Sequence, residues 1–289
     1  MSFTNLKFEI PFNLDPKFLD WVNNEGSIYK DRIEFIYMPS FHEDCKNSRE
    51  KSPAFLKYNP TNRKDYEKLV QKLLDTNCDA AVLLQKDETY HRLNKDLIQY
   101  YIDLGFTHFV IGNDYVAEWV KELNPKVETV ASLTKVMTYD DVLHKDLDMY
   151  DKIVLHHWAS RALDALPTLP KKYRYTMMVD IACTYKYPSF CRIHWFCPET
   201  EEAKCIERGC CVDRYERESR IFPEDFYLFE PYMSSWKLGF ERGSESNFII
   251  DNIHNFMGDH GEFYKYDDYY NMSRREYYNL AIKEGYVKL

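Results

Sequence analysis

The chain has 289 residues, 45% hydrophobic and 29% charged, with a net charge of −9. That length supports one large core, either a single barrel or two modest domains. The acidic balance excludes a general nucleic-acid binder with a basic face, while leaving room for an RNA substrate in a local basic cleft.

In chain order, Leu6–Phe12 reads as a strand. "DPKFLDWVNN" follows as a helix with an Asp cap and Pro at its first position. "RIEFIYMP" is a second strand, ended by Pro39, and "TNRKDYEKLVQKLLDTN" a helix with leucines at helical spacing. "AAVLLQ" is a short, wholly apolar strand of the buried kind. "NKDLIQYYIDLG" is a helix closed by Gly105. "HFVIGND" and "YVAEWVKELNP" repeat the pattern, as do "VETVASL" and "TYDDVLHKDLDMY". "KIVLHHW" is the sixth strand, with a helix around "SRALDALPTL", and "RYTMMVDIAC" is the seventh. "SSWKLGF" is the eighth, before the helix "SESNFIIDNIHNFMG". A capping box from Ser273 to Glu276 predicts a last helix in the tail.

Eight strands alternating with helices point to a single TIM-like (β/α)8 barrel over residues 1–289. Residues 183–222 form a cysteine-rich insertion between strands seven and eight, and residues 258–289 a C-terminal helical tail. A doubly wound open sheet is the competing architecture. It lacks support from a glycine-rich phosphate loop after the first strand.

In a barrel, chemistry sits where strands end at the carboxyl side. The residues expected there are Glu9, Asn13, Tyr37, the loop with His42, Cys45 and Arg49, and Gln85. Asn113, Asp114, Ser132, His156, His157, Asp180, Cys183, Lys237, Glu241 and Arg242 complete the set. Strand ends that merely meet solvent would also be polar. His156 and His157 share a strand and point to opposite faces, so they do not form a chelate. "HEDC" at His42–Cys45 reads as an acidic surface turn more readily than as a metal set.

Six of the eight cysteines fall in one segment: Cys183, Cys191, Cys197, Cys205, Cys210 and Cys211. The N-terminus lacks a basic region followed by an apolar run, and no stretch of about 18 apolar residues crosses a membrane. The expected compartment is therefore cytoplasmic, where thiols stay reduced and clustered cysteines read as metal or redox sites. No CxxC pair is present, so the thiols need a folded scaffold to converge. Cys183, Cys191 and at least one of Cys205, Cys210 and Cys211 are the expected ligands, with His194 a ligand or a neighbouring donor. An iron–sulfur cluster, a Cys-rich zinc site and ordinary thiols all remain open. Cys78 reads as plain core.

Several segments together resemble the peptidase family numbered thirty-two among those of unknown catalytic type. That family includes collagenase-like peptidases and, among its relatives, anaerobic ubiquinone- and tRNA-hydroxylation proteins. "VASLTKVMTYDDVLHKDLDMYDKIVLHHWASRALDAL" is similar to the family segment carrying Ser132 and Arg161 here. "CRIH" at Cys191–His194 resembles its cysteine followed by a basic residue and His. "FPEDFYLFEPYMSSWKLGFERGSE" resembles its closing element, matching Glu224, Lys237 and Arg242. The tight glycine-rich cysteine motif of the peptidase branch is absent here. The resemblance implies a TIM-like barrel and, in the hydroxylation branch, a four-iron [4Fe-4S] cluster on four cysteines.

Three functional expectations stand beside one another. The first is a cluster-dependent barrel enzyme modifying a small molecule, peptide or RNA. In it Lys237 and Arg242 hold an anionic group, and Glu9, Glu241 or His156 move protons. A salt bridge from Lys237 or Arg242 to a rim carboxylate is the structural alternative. The second is a cluster- or zinc-bearing accessory subunit of a protein partner, because barrels of the hydroxylation branch can work as paired subunits. The third is a peptidase, for which no nucleophile elbow or HExxH helix is present.

Overall fold

The structure, a computed structural model, describes residues 4–45, 53–85, 92–135, 137, 139–156, 163–179, 221, 223–239 and 246–257. Its eight strands are β1 (Lys7–Pro11), β2 (Ile33–Pro39), β3 (Ala80–Leu84), β4 (His108–Ile111), β5 (Glu128–Ala131), β6 (Lys152–Leu155), β7 (Arg174–Met178) and β8 (Ser235–Lys237). Each pairs in parallel with the next, and β8 returns to β1, with Glu9 opposite Lys237, to close the barrel. The single (β/α)8 barrel read from the alternation is the observed fold. An open doubly wound sheet is excluded by the β1–β8 ladder.

The helices are α1 (Pro16–Asn23), α2 (Pro53–Tyr58), α3 (Arg63–Leu74), α4 (Lys95–Asp103), α5 (Asp114–Leu123), α6 (Tyr139–His144), α7 (Phe226–Phe229) and α8 (Ser246–Met257). Their starts are written in the sequence. Asp15 accepts from the Lys17 amide, Asn62 from Asp65, Asn94 from Leu97 and Asn113 from Tyr115. Each side chain satisfies an amide that the first turn leaves without a helical partner. Gly105 ends α4 at φ +102°, a left-handed position that a Cβ disfavours.

Two predicted helices are shorter than their sequence patterns. Over 138–150 the α-helix keeps only Tyr139–His144. Around 160–169 the chain forms a 3-10 helix over Leu163–Thr168, where Pro167 has no N–H to give an α-helical ladder. Three short elements carried no clear sequence signal: the 3-10 turns over Glu25–Arg32, the helix α2 and the run from Pro223 to Tyr232.

Strand parity divides the core in two. Phe8, Ile10, Ile36, Met38, Val82, Phe109, Ile111, Ile153, Leu155, Tyr175, Met177 and Trp236 face the helices. Phe35, Tyr37, Ala81, Leu83, Val110, Val130, Val154 and Met178 fill the lumen. The lumen is also layered by polarity. His108, Glu128, Lys152 and Arg174 begin β4 to β7, so its amino-terminal end is charged, while the apolar residues above share the lumen with Glu9 and Lys237.

The cysteine segment 183–222 lies outside the described residues apart from Ile221, and the tail 258–289 lies outside them entirely. So do 46–52, 86–91, 157–162 and 240–245, which follow β2, β3, β6 and β8 in sequence. β7 ends at Met178, so Cys183 is five positions beyond the strand rather than its last residue.

Candidate site at the carboxyl-side mouth

Lys237 closes β8 and points into the lumen, almost fully buried. Its ammonium donates to Glu9 Oε2 at 2.8 Å and lies 3.7 Å from the centre of the Tyr37 ring. The Tyr37 hydroxyl donates to the Leu238 carbonyl, which ties β2 to the end of β8. A carboxylate and an aromatic face thus hold one cation at the inner edge of the mouth.

Glu9 is the third residue of β1 and is fully buried, below the rim where its sequence position was expected to put it. Ser235 Oγ donates to its Oε1 at 2.9 Å, and the Lys152 ammonium lies 3.4 Å from the same oxygen. Burial alone would raise its pKa. The charges of Lys237 and Lys152, with hydrogen bonds from Lys237 and Ser235, outweigh that and hold it below the ordinary carboxylate value. An acid held ionised this way is a weak proton shuttle near neutral pH. Its strongest physical role is as counter-ion to the two lysines.

Below Glu9 the charges continue. Lys152 donates to Glu34 and lies 3.8 Å from Glu128 Oε1. Arg174 pairs with Glu128, and His108 Nε2 lies 3.6 Å from the same carboxylate. Burial pushes the Glu128 carboxyl up, but hydrogen bonds from His108 and Arg174 and the Lys152 charge bring it down to about 2. Glu34, Glu128, Lys152, Arg174 and His108 were not singled out from sequence. Each is one charged residue at a strand start, where a solvent-facing end is the ordinary reading.

On the other side of the mouth, Ser132 follows β5 and is fully buried. Gln85 Nε2 donates to its Oγ at 3.1 Å, and Thr134 donates through its amide at 3.2 Å and its hydroxyl at 2.9 Å. None of these partners is a base, so among the described residues none bonded to Ser132 would activate it as a nucleophile. His156 follows β6 instead of lying within it. It is buried, its amide donates to the Met137 carbonyl at 3.3 Å, and it continues the inward parity of Lys152 and Val154. His157, Glu241, Arg242, Arg161, Cys183, Cys191, His194, Cys205, Cys210 and Cys211 lie outside the described residues.

The ends of the cysteine-bearing stretch are fixed. The Ile221 amide donates to the Val179 carbonyl at 3.1 Å, and the Val179 amide donates to the Lys237 carbonyl at 3.1 Å. Val179 and Ile221, the residues that flank 180–220, therefore sit side by side on the rim, next to the backbone of Lys237.

Other expected rim residues serve the scaffold. Asn13 accepts from the Asp15 amide, and Asp114 accepts from Lys135 and the Tyr150 hydroxyl. "HEDC" is not a surface turn throughout. Asp44 is buried, held by Arg63 at 2.6 and 3.0 Å and by the Tyr101 hydroxyl at 2.6 Å, and Cys45 is fully buried. Cys78 packs against the core as expected, and burial pushes its thiol pKa up. Among the described residues no group of three or more His, Cys, Asp or Glu side chains is arranged to hold a metal ion.

No family model and no curated protein matches the chain. Solved structures do. A U32 peptidase superposes with a TM-score of 0.53 at 14% identity, over 84% of this chain and 95% of that one. The tryptophan synthase α-subunit of Pyrococcus furiosus superposes with a TM-score of 0.50 at 9% identity, over 88% and 98%. A chain from a structure of the tryptophan synthase α2β2 complex of the same organism gives 0.50 at 10% identity, over 89% and 99%. At these identities the likeness is one of fold: a TIM-type barrel, like that of a U32 peptidase. No helix among the described residues is long and apolar enough to cross a membrane.

Proposed function

We propose that this chain is a metal-dependent barrel enzyme that works at the carboxyl-side mouth on a substrate carrying an anionic group. The observation that supports it most is the anchoring of residues 180–220 at Val179 and Ile221, one hydrogen bond from the backbone of Lys237. A segment carrying six thiols is rooted beside the buried lysine. Its donor set suits an iron–sulfur cluster first and zinc second, with Cys183, Cys191 and at least one of Cys205, Cys210 and Cys211 as ligands and His194 as a ligand or neighbouring donor. A bound cluster would supply one-electron redox chemistry, as the resemblance to the hydroxylation branch implies.

The chain's own residues bind and orient. Lys237 offers a buried ammonium to a carboxylate or phosphate, with Arg242, five positions on, as a second donor. Glu9 balances Lys237 from below, and the Tyr37 ring lies against its ammonium. Gln85, Ser132 and Thr134 present a neutral hydrogen-bonding patch across the mouth. A small molecule, a peptide or RNA can each carry the anion. The hydrolytic peptidase reading has less support, because among the described residues the side chains bonded to Ser132 include no base.

Anaerobic purification with iron, sulfide and zinc analysis tests the reading. Stoichiometric iron and sulfide, or zinc, lost together with thermal stability in Cys183→Ser and Cys191→Ser, is the expected result. Wild-type protein that binds neither, with stability unchanged in both variants, would overturn it.

A further inference from the structure

We propose that Lys152 is a positioning residue for the mouth: it serves as a reserve counter-cation for Glu9, so that Lys237 can turn from Glu9 to a substrate anion without leaving a bare buried carboxylate. The proposal rests on the anion-holding reading of Lys237.

The geometry behind it is specific. Glu9 is fully buried, and its two oxygens are held separately, Oε2 by Lys237 and Oε1 by Ser235 and Lys152. Lys152 is itself fully buried and stands between Glu9 and Glu34. Three carboxylates, Glu9, Glu34 and Glu128, face three fixed cations, Lys152, Arg174 and Lys237, with His108 beside Glu128. Among the described residues these charges balance while Lys237 stays on Glu9. If an anion drew Lys237 away and Lys152 were absent, Glu9 would be a buried charge held by one hydroxyl, which is costly. With Lys152 in place, a shift of that ammonium from Glu34 toward Glu9 restores the pairing. Glu34 can bear the shift, since it is part-exposed at the barrel's amino-terminal end with Arg174 3.8 Å away. The Phe35 ring lies near both ammoniums, its centre 5.3 Å from Lys152 and 5.7 Å from Lys237, and adds a favourable aromatic contact to each.

A purely structural Lys152 would change stability when replaced but would leave the chemistry of Lys237 alone. Trace acetylation with acetic anhydride between about pH 7 and about pH 11, read by mass spectrometry on the Lys237 peptide, separates the two. Acetylation consumes the neutral amine, so its rate reports how firmly Lys237 holds its proton. In Lys152→Met, Glu9 has one cation left and binds Lys237 more tightly, and labelling at a given pH should slow about threefold or more. In Glu34→Gln, Lys152 is released to Glu9, and labelling should quicken by a similar factor. The second variant keeps both lysines and carries the test if Lys152→Met does not fold. Unchanged labelling in Glu34→Gln, or a change of the same sign in both variants, would overturn the proposal.

Pyrophosphate binding by calorimetry reads the underlying role of Lys237. Affinity lost in Lys237→Met and reduced about tenfold in Lys152→Met supports both readings. Wild-type protein without affinity for the anion would count against the anion-holding role of Lys237, while the labelling result still decides the coupling to Lys152.

Discussion

The Ile221 amide donates to the Val179 carbonyl at 3.1 Å across 41 intervening residues, 180–220, which include six cysteines. The Val179 amide is in turn bound to Lys237, so one short backbone ladder joins β7, β8 and both ends of the thiol-bearing segment. That ladder puts the two residues flanking the segment, Val179 and Ile221, next to the backbone of Lys237.

The Glu9–Lys237 pair should behave as a buried ion pair. Glu9→Gln leaves two lysines facing a neutral amide and should cost about 3–5 kcal/mol in urea unfolding. Replacing both partners, as Glu9→Leu with Lys237→Met, should cost less than the sum of the single changes, with a coupling of about 1–3 kcal/mol. Additive costs would show that the pair does not act as a unit.

Acid stability should depend on Glu128. Its folded pKa of about 2 lies below the ordinary 4.5, so its ionised form stabilises the fold above 4.5. That contribution is lost as pH falls from about 4.5 toward 2. Glu128→Gln should lower stability at neutral pH and flatten this part of the acid limb. Denaturant midpoints at several pH values check it, and a parallel displacement of the whole curve would assign the loss to packing.

Gly105→Ala should destabilise through backbone and packing together. The residue has φ +102°, and a Cβ there would meet Leu74 Cδ1 at 3.0 Å. A loss of about 1–2 kcal/mol or more is expected in chemical unfolding. A neutral substitution would mean that the α4 end relaxes out of the left-handed conformation.

Asp15 joins two helices at the mouth. Its carboxylate accepts from the Lys17 amide at 3.1 Å at the start of α1 and from Ser246 Oγ at 2.6 Å at the start of α8. Leu14 before it has φ 68°, so the turn is held in a conformation unusual for a side chain of that size. Asp15→Ala should cost about 1–2 kcal/mol. Amide exchange should rise in α1 and α8 together, and a rise confined to α1 would leave the Ser246 contact without a structural role.

The barrel was legible in the sequence because its signals are local. A run such as "AAVLLQ" followed by an Asn-capped amphipathic helix identifies each strand and helix within some twenty positions, and repeating the unit leaves few closed arrangements. The thiol cluster and Lys237 stood out for the same reason, through composition and strand-end position. The lumen was not legible. Lys152 and Glu9 are 143 positions apart, and Lys237 and Glu9 are 228 apart. Lys152, Arg174, Glu128 and Glu34, read singly, are charges at the solvent end of a strand. Only closure of β8 onto β1 turns them inward on one axis, where low dielectric and mutual pairing make them a network. Local periodicity determined which segments are strands and helices. Tertiary closure decided which charges face one another, because Coulomb pairing depends on distance in space and leaves no period in the chain.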